Sequence, residues 1–148
     1  MNRLTGRASS LEELLEQIKR TPELMANVAE WRTIPARPAK YADFPSGLRP
    51  EIRQALESKG IHRLYSHQAA AFQRVQQGCH VVTVTPTASG KTLAYNLPVM
   101  QKLLEDDSSR ALYLFPTKAL AQDQAAELKE WVDLMGVDLK AHTYDGDT

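Results

Sequence analysis

The chain has a single cysteine, Cys79, among its 148 residues. That excludes an internal disulfide and a cysteine-cluster metal site within it, and a reduced, chemically idle thiol is expected. There is no excess of either charge. Lys and Arg number 18, Asp and Glu number 18, and the formal net charge is zero. Whole-chain charge therefore gives no electrostatic argument for a nucleic-acid partner, although a local basic strip fits inside a neutral total. No apolar run approaches the ~20 residues of a membrane span, and residues 1–10 lack the long apolar core of a secretory signal. A soluble cytoplasmic protein is expected. The histidines, His62, His67, His80 and His142, show no paired metal-ligand spacing. The length suffices for one modest domain with a core.

Proline is unevenly spread, and its distribution organises the chain. Ser10 followed by Glu13 has the form of a capping box, and Leu11, Leu14, Leu15 and Ile18 recur at helical spacing. Thr21-Pro22 signals a second helix start, with Leu24, Met25 and Val28 on its apolar side and an end near Trp31. Pro35, Pro38, Pro45 and Pro50, with Gly47, make 33–50 an extended connector. The expected division is a helical extension and linker over 1–38 and a main domain over 39–148.

Pro50 opens a helix through Lys59 that Gly60 closes, and Ser66 is positioned to cap a helix over 67–77, closed by Gly78. From there the pattern alternates. Strands are expected at 80–84, 110–115 and 137–144. Helices are expected at 91–104, bent at Pro98, and at 117–135, with Leu120, Leu128, Trp131, Val132 and Met135 inward and Gly136 at its end. Strands alternating with helices predict an α/β fold, a parallel sheet flanked by helices on both faces. Three strands make a narrow sheet with exposed edges, so the chain is expected to be the front part of a larger domain.

The strongest local signal is Thr85-Pro86-Thr87-Ala88-Ser89-Gly90-Lys91-Thr92. It follows the apolar run at 80–84 and precedes a helix, the arrangement that wraps a nucleoside triphosphate. Small residues let backbone N–H groups converge on phosphate oxygens, and Gly90 puts no Cβ in the way. Lys91 is long enough to reach β- and γ-phosphates, and the Thr92 hydroxyl is placed to ligate Mg²⁺. Thr85 stands where the general pattern has its first glycine. The bland alternative is a strand-to-helix turn with an exposed lysine.

Three further segments narrow the reading. Leu64-Tyr65-Ser66-His67-Gln68 lies upstream, Phe115-Pro116-Thr117-Lys118-Ala119-Leu120-Ala121-Gln122-Asp123-Gln124 downstream, and Thr143-Tyr144-Asp145-Gly146-Asp147-Thr148 at the end. In this order, around the 85–92 loop, they resemble the Q-motif, motif I, motif Ia and the motif Ib region of the first RecA-like motor domain of superfamily-two DExH/DEAD-box helicases. Within that superfamily the wording is most similar to the MrfA-type DNA-repair helicases. The resemblance spans 39–148 and is weak before it. In this family motif I commonly begins with a small residue, so Thr85 is no defect.

The resemblance implies roles residue by residue. Tyr65, Gln68, Thr87, Ala88, Ser89, Gly90, Lys91 and Thr92 would bind ATP, with Lys91 and Thr92 in the catalytic machinery and Thr92 on Mg²⁺. The Gln68 amide has donors and an acceptor for an adenine edge. Tyr41 is the candidate aromatic that stacks on the base. Pro116, Thr117, Lys118, Gln124, Gly146, Asp147 and Thr148 would contact a single DNA strand. A strand-to-helix loop is the ligand-binding end of open α/β sheets, and a hydroxyl, a lysine and helix N–H groups seek phosphate. Asp145 and Asp147 could also be read as part of a metal loop, but no further acidic ligand follows.

The family's acidic motif II, Asp-Glu-x-His or Asp-Glu-x-Asp, does not occur in these residues. Its Asp would hold Mg²⁺ and its Glu would orient the attacking water. The implied protein is an ATP-dependent 3′–5′ DNA helicase, of which these residues alone are not expected to hydrolyse ATP. The alternatives are a DEAD-type RNA helicase and a nucleotide-binding module that never turns over.

Overall fold

The structure is a computed structural model that describes residues 10–36 and 38–146. It separates into two compact units, Met1–Pro38 and Ala39–Thr148.

In the first unit, helix α1 spans Leu11–Arg20. Ser10 sits in an extended conformation, and its hydroxyl oxygen accepts the Glu13 N–H at 3.2 Å, the cap that the sequence anticipates. Glu12 and Glu13 in the first turn and Lys19 and Arg20 in the last both suit the helix dipole. Helix α2 covers only Pro22–Met25, shorter than the expected run to Trp31. The Asn27 side-chain amide donates to the Glu23 carbonyl at 3.4 Å, and the Val28 N–H turns back to Met25 at 2.9 Å. A side chain competing for a helix carbonyl is how asparagine ends helices. The Trp31 ring is placed 5.1 Å from the Lys19 ammonium.

The second unit begins with β1, Tyr41–Ala42, which pairs antiparallel with β2, Leu64–Tyr65, setting Tyr41 opposite Tyr65. Between them α3, Pro50–Ser58, starts on a proline whose missing N–H costs nothing at that position. It ends where Gly60, at φ +74°, lets the Ile61 N–H return to the Leu56 carbonyl at 2.9 Å. Helix α4 spans Ser66–Gln76. Ser66 is not its cap, as the sequence suggested, but its first residue. Tyr65 is the N-cap, and the Gln68 side chain accepts the Tyr65 N–H at 2.8 Å. Helix α5, Lys91–Glu105, runs through Pro98, and α6, Lys118–Met135, ends at left-handed Gly136.

The core lies among these helices. Ile52 and Leu56 of α3, Phe72 of α4, Leu97 and Met100 of α5 and Trp131 and Met135 of α6 form it with Leu48 and Leu64. Leu128 and Val132 are partly buried against it, whereas Leu120, expected inward, is 39 % exposed. Gln101 is buried and satisfied. It donates to the Gly47 carbonyl at 2.9 Å and accepts the Arg49 N–H at 3.0 Å, holding the loop ahead of α3.

Among the described residues the expected parallel sheet is not formed. The sheet found among the described residues is the two-stranded antiparallel β1–β2 pair, and 80–84, 110–115 and 137–144 have no strand assignment. Val82, Val84, Leu112 and Leu114 are each more than four-fifths exposed. Alternating apolar residues mark a segment that fits a pleated, half-buried surface, but a strand exists only with a neighbour to complete its hydrogen bonds. These segments have the pattern and lack the partner among the described residues.

Candidate nucleotide and nucleic-acid sites

The loop at 85–90 is built by a turn and two left-handed residues. Ala88 adopts φ 58°, uncommon for a residue with a side chain, and Gly90, the N-cap of α5, adopts φ 74°. The Thr85 and Ser89 hydroxyls are hydrogen-bonded at 2.6 Å across the loop's neck. The Lys91 ammonium folds back into it, donating to the Thr85 carbonyl at 2.8 Å and the Pro86 carbonyl at 2.7 Å, with Ser89 Oγ at 3.5 Å. Carbonyls surround the cation as stand-ins for anionic oxygens. A phosphate offers the same ammonium a charged acceptor and stronger, charge-assisted bonds. Thr92 follows in the first turn of α5.

Helix α4 packs beside this loop and brings Gln68 to it. Gln68 is 2 % exposed, and its Nε2 donates to the Gly90 carbonyl at 2.8 Å. The Tyr41 and Tyr65 rings are stacked with centroids 5.3 Å apart, and the His67 ring also stacks on Tyr65, at 5.8 Å. Tyr41 is half exposed. A flat aromatic surface, a carboxamide and a phosphate-sized loop thus sit together, which fits a nucleoside triphosphate. Gly90 itself tolerates little: a β-carbon there would lie 2.7 Å from Gln68 Nε2, in a backbone conformation that L side chains rarely adopt. Gly90→Ala is expected to destabilise the loop by about 1–2 kcal/mol and to weaken nucleotide binding. A titration with ATP, run beside a thermal melt, checks this; wild-type affinity in the variant would contradict it.

The second group of candidates lies at the start of α6. Thr117 is its N-cap, and its hydroxyl oxygen accepts the Leu120 N–H at 3.3 Å. A β-carbon added to Gly146 would sit 3.9 Å from Lys118 Nζ, so the loop at 116–118 and the end of the described chain come together. Asp147 and Thr148 lie outside the described residues. Gln124 lies further along α6. Its Oε1 accepts the Tyr95 hydroxyl at 2.5 Å, and its Nε2 donates to Glu127 at 3.3 Å. Tyr95, on α5 one turn beyond Lys91, was not singled out from sequence. Nothing in a lone tyrosine at that spacing distinguishes it from a packing residue.

Behind these loops, Tyr95 meets Tyr113 edge-on at 6.0 Å, and Tyr113 stacks on Phe115. The Tyr113 hydroxyl donates to Asn96 at 2.9 Å, and burial, followed by the proximity of Tyr95, pushes its pKa up to about 12. A cavity of about 620 Å³ opens here, walled by Met100, Leu103, Phe115, Leu128, Val132 and Leu139. None of residues 85–92 lines it. It is an apolar trough beneath the unpaired extended segments, not the nucleotide site. No cluster of His, Cys, Asp and Glu that could hold a metal ion occurs among the described residues.

Residues 65–148 match the DEAD/DEAH box helicase family, and the chain belongs to that family. Over 139 residues it is 55 % identical to the ATP-dependent helicase YprA of Bacillus subtilis, covering 94 % of this chain and 18 % of that protein. It is 39 % identical to the ATP-dependent helicase hrq1 of Schizosaccharomyces pombe, covering 98 % of this chain and 14 % of the relative. In three dimensions it is similar to the helicase MrfA bound to DNA and AMPPNP, with a TM-score of 0.85 and 55 % identity, over 94 % of this chain and 19 % of MrfA. The chain therefore spans less than a fifth of the length of these relatives. The likeness establishes the motor-domain fold in its α/β class. No helix among the described residues is long and apolar enough to cross a membrane.

Proposed function

We propose that this chain is the ATP-binding part of an ATP-dependent DNA helicase that tracks 3′ to 5′ along one strand and acts in DNA repair in the cytoplasm. The observation that carries the reading is the meeting of the 85–92 loop with Gln68 and the Tyr41–Tyr65 stack at the start of α5. Family membership and the likeness to a DNA- and AMPPNP-bound helicase support it. In this reading Lys91 and the N–H groups of Thr87–Thr92 hold the phosphates, and Gln68 and Tyr65 hold the adenine. Thr92 is the residue to hold Mg²⁺, which when bound offsets phosphate charge. Pro116, Thr117, Lys118 and Gly146, with Asp147 and Thr148, grip the DNA backbone. Gln124, one to two turns along α6, extends the contact.

The segments 80–84, 110–115 and 137–144 are read as strands of a parallel sheet that pairs with other segments of a longer protein. Hydrolysis requires an acidic pair to hold the metal ion and orient water, and none of the wording Asp-Glu-x-His or Asp-Glu-x-Asp occurs in these 148 residues. The whole protein, not these residues alone, is therefore proposed to turn over ATP.

Duplexes with a 3′ or a 5′ single-stranded tail, in DNA and in RNA, test the reading in the whole protein. ATP-dependent unwinding of the 3′-tailed DNA is the expected result. Preference for RNA duplexes would instead assign the protein to the RNA-unwinding branch.

A further inference from the structure

Gln68 has a task that adenine recognition does not describe. Its side chain is buried, and both ends are engaged without any ligand. Oε1 accepts the Tyr65 N–H at 2.8 Å, and Nε2 donates to the Gly90 carbonyl, 22 residues away in sequence, at 2.8 Å. The first bond fixes the side chain to the start of α4, so the second is made by a group that cannot swing. The Gly90 carbonyl belongs to the same planar trans peptide as the Lys91 N–H, and in such a unit the two bonds point in opposite directions. Holding the carbonyl against α4 therefore turns the Lys91 N–H away from α4. That N–H is one of the unpaired donors at the start of α5, the kind that anions bind. Gly90 permits the arrangement: any β-carbon there would stand 2.7 Å from Nε2.

We propose that Gln68 is a positioning residue for the phosphate loop, setting the Gly90–Lys91 peptide so that phosphate binding, with or without a base, depends on it. The proposal rests on the ATP-binding reading and adds to it. An amide has two N–H groups and its oxygen two lone pairs, so the tether leaves one donor and one acceptor position for an adenine edge. A residue serving only the base would matter for ATP and not for a ligand without a base.

Inorganic tripolyphosphate is that ligand. Its affinity and that of ATP are measured by calorimetry, with Mg²⁺, for the whole protein as wild type, Gln68→Met and Lys91→Ala. Methionine keeps the length and bulk of glutamine and removes both hydrogen bonds. The expected result is that Gln68→Met weakens tripolyphosphate by about 5-fold or more, the worth of one ordinary hydrogen bond, and ATP by more than that. Wild-type tripolyphosphate affinity in Gln68→Met, with ATP affinity lost, would overturn the proposal and leave the ATP site standing. If wild type bound neither ligand, the ATP reading would fall and the tether's role with it. A measurement on wild type covers a variant that does not fold. In nucleotide-free protein labelled with ¹⁵N-glutamine, the Gln68 side-chain amide should exchange with solvent much more slowly than that of exposed glutamines. Exchange at the rate of exposed glutamines would overturn the tether.

Discussion

Replacing Lys91 with alanine should raise the dissociation constant for ATP by about 10- to 100-fold, the range expected when a charged hydrogen-bond partner is removed from a phosphate. The lysine is held 2.8 Å and 2.7 Å from two loop carbonyls, so its ammonium already stands inside the loop before any nucleotide arrives. Little has to be reorganised for phosphate oxygens to take the carbonyls' place, and the Coulomb attraction is then realised in full. Arginine should not rescue the site, because its planar fork is broader than the compact ammonium that the carbonyls surround. The loop carbonyls lie near solvent and can turn to water, so the fold should lose little stability. Calorimetry with ATP, beside a thermal melt, checks both halves. Affinity within about 2-fold of wild type, against the range above, would remove Lys91 from the site.

The largest effect on the fold is expected at Trp131. It is 2 % exposed and is the bulkiest of the fully buried side chains. Truncating it to alanine in a packed core should cost about 3–5 kcal/mol, from lost burial plus the cavity left behind. Lys59 contributes on one side, with its ammonium 5.1 Å from the ring and 2.7 Å from Glu130. Trp131→Phe should cost far less, under about 1.5 kcal/mol. The indole N–H is buried with no hydrogen-bond partner among the described residues, so phenylalanine relieves a desolvation cost while giving up part of the packing. Urea denaturation of the three proteins measures both. A loss as large in Trp131→Phe as in Trp131→Ala would mean that the N–H has a partner after all.

The helices were legible in the sequence because their signals are local. Ser10 with Glu13, Pro50, Gly60 and Gly136 each act within one turn, and each marks an end where it was expected. The 85–90 loop and the helix after it were legible for the same reason: small residues and a glycine ahead of Lys91 mark a turn that gives way to a helix. The parallel sheet was not legible in the same way. Residues 80–84 and 110–115 carry the alternation of strands, but the alternation does not name the neighbour that must complete each ladder. The cap of α4 was misplaced by one residue because Gln68 takes over the capping from inside the helix, which depends on its rotamer. The Gln68–Gly90 and Tyr95–Gln124 bonds join residues 22 and 29 positions apart, and no local pattern shows such pairs. Gln124 was read as a nucleic-acid contact one to two turns beyond the 116–118 loop, and its hydrogen bond to Tyr95 is a further pairing that no local pattern shows.

The central claim, that ATP held by this loop drives movement on DNA, is tested most directly by the ATPase rate of the whole protein with and without single-stranded DNA, for wild type and Lys91→Ala. The account predicts a wild-type rate that rises several-fold when DNA is added, and a Lys91→Ala rate near background in both conditions. Equal wild-type rates with and without DNA would contradict it.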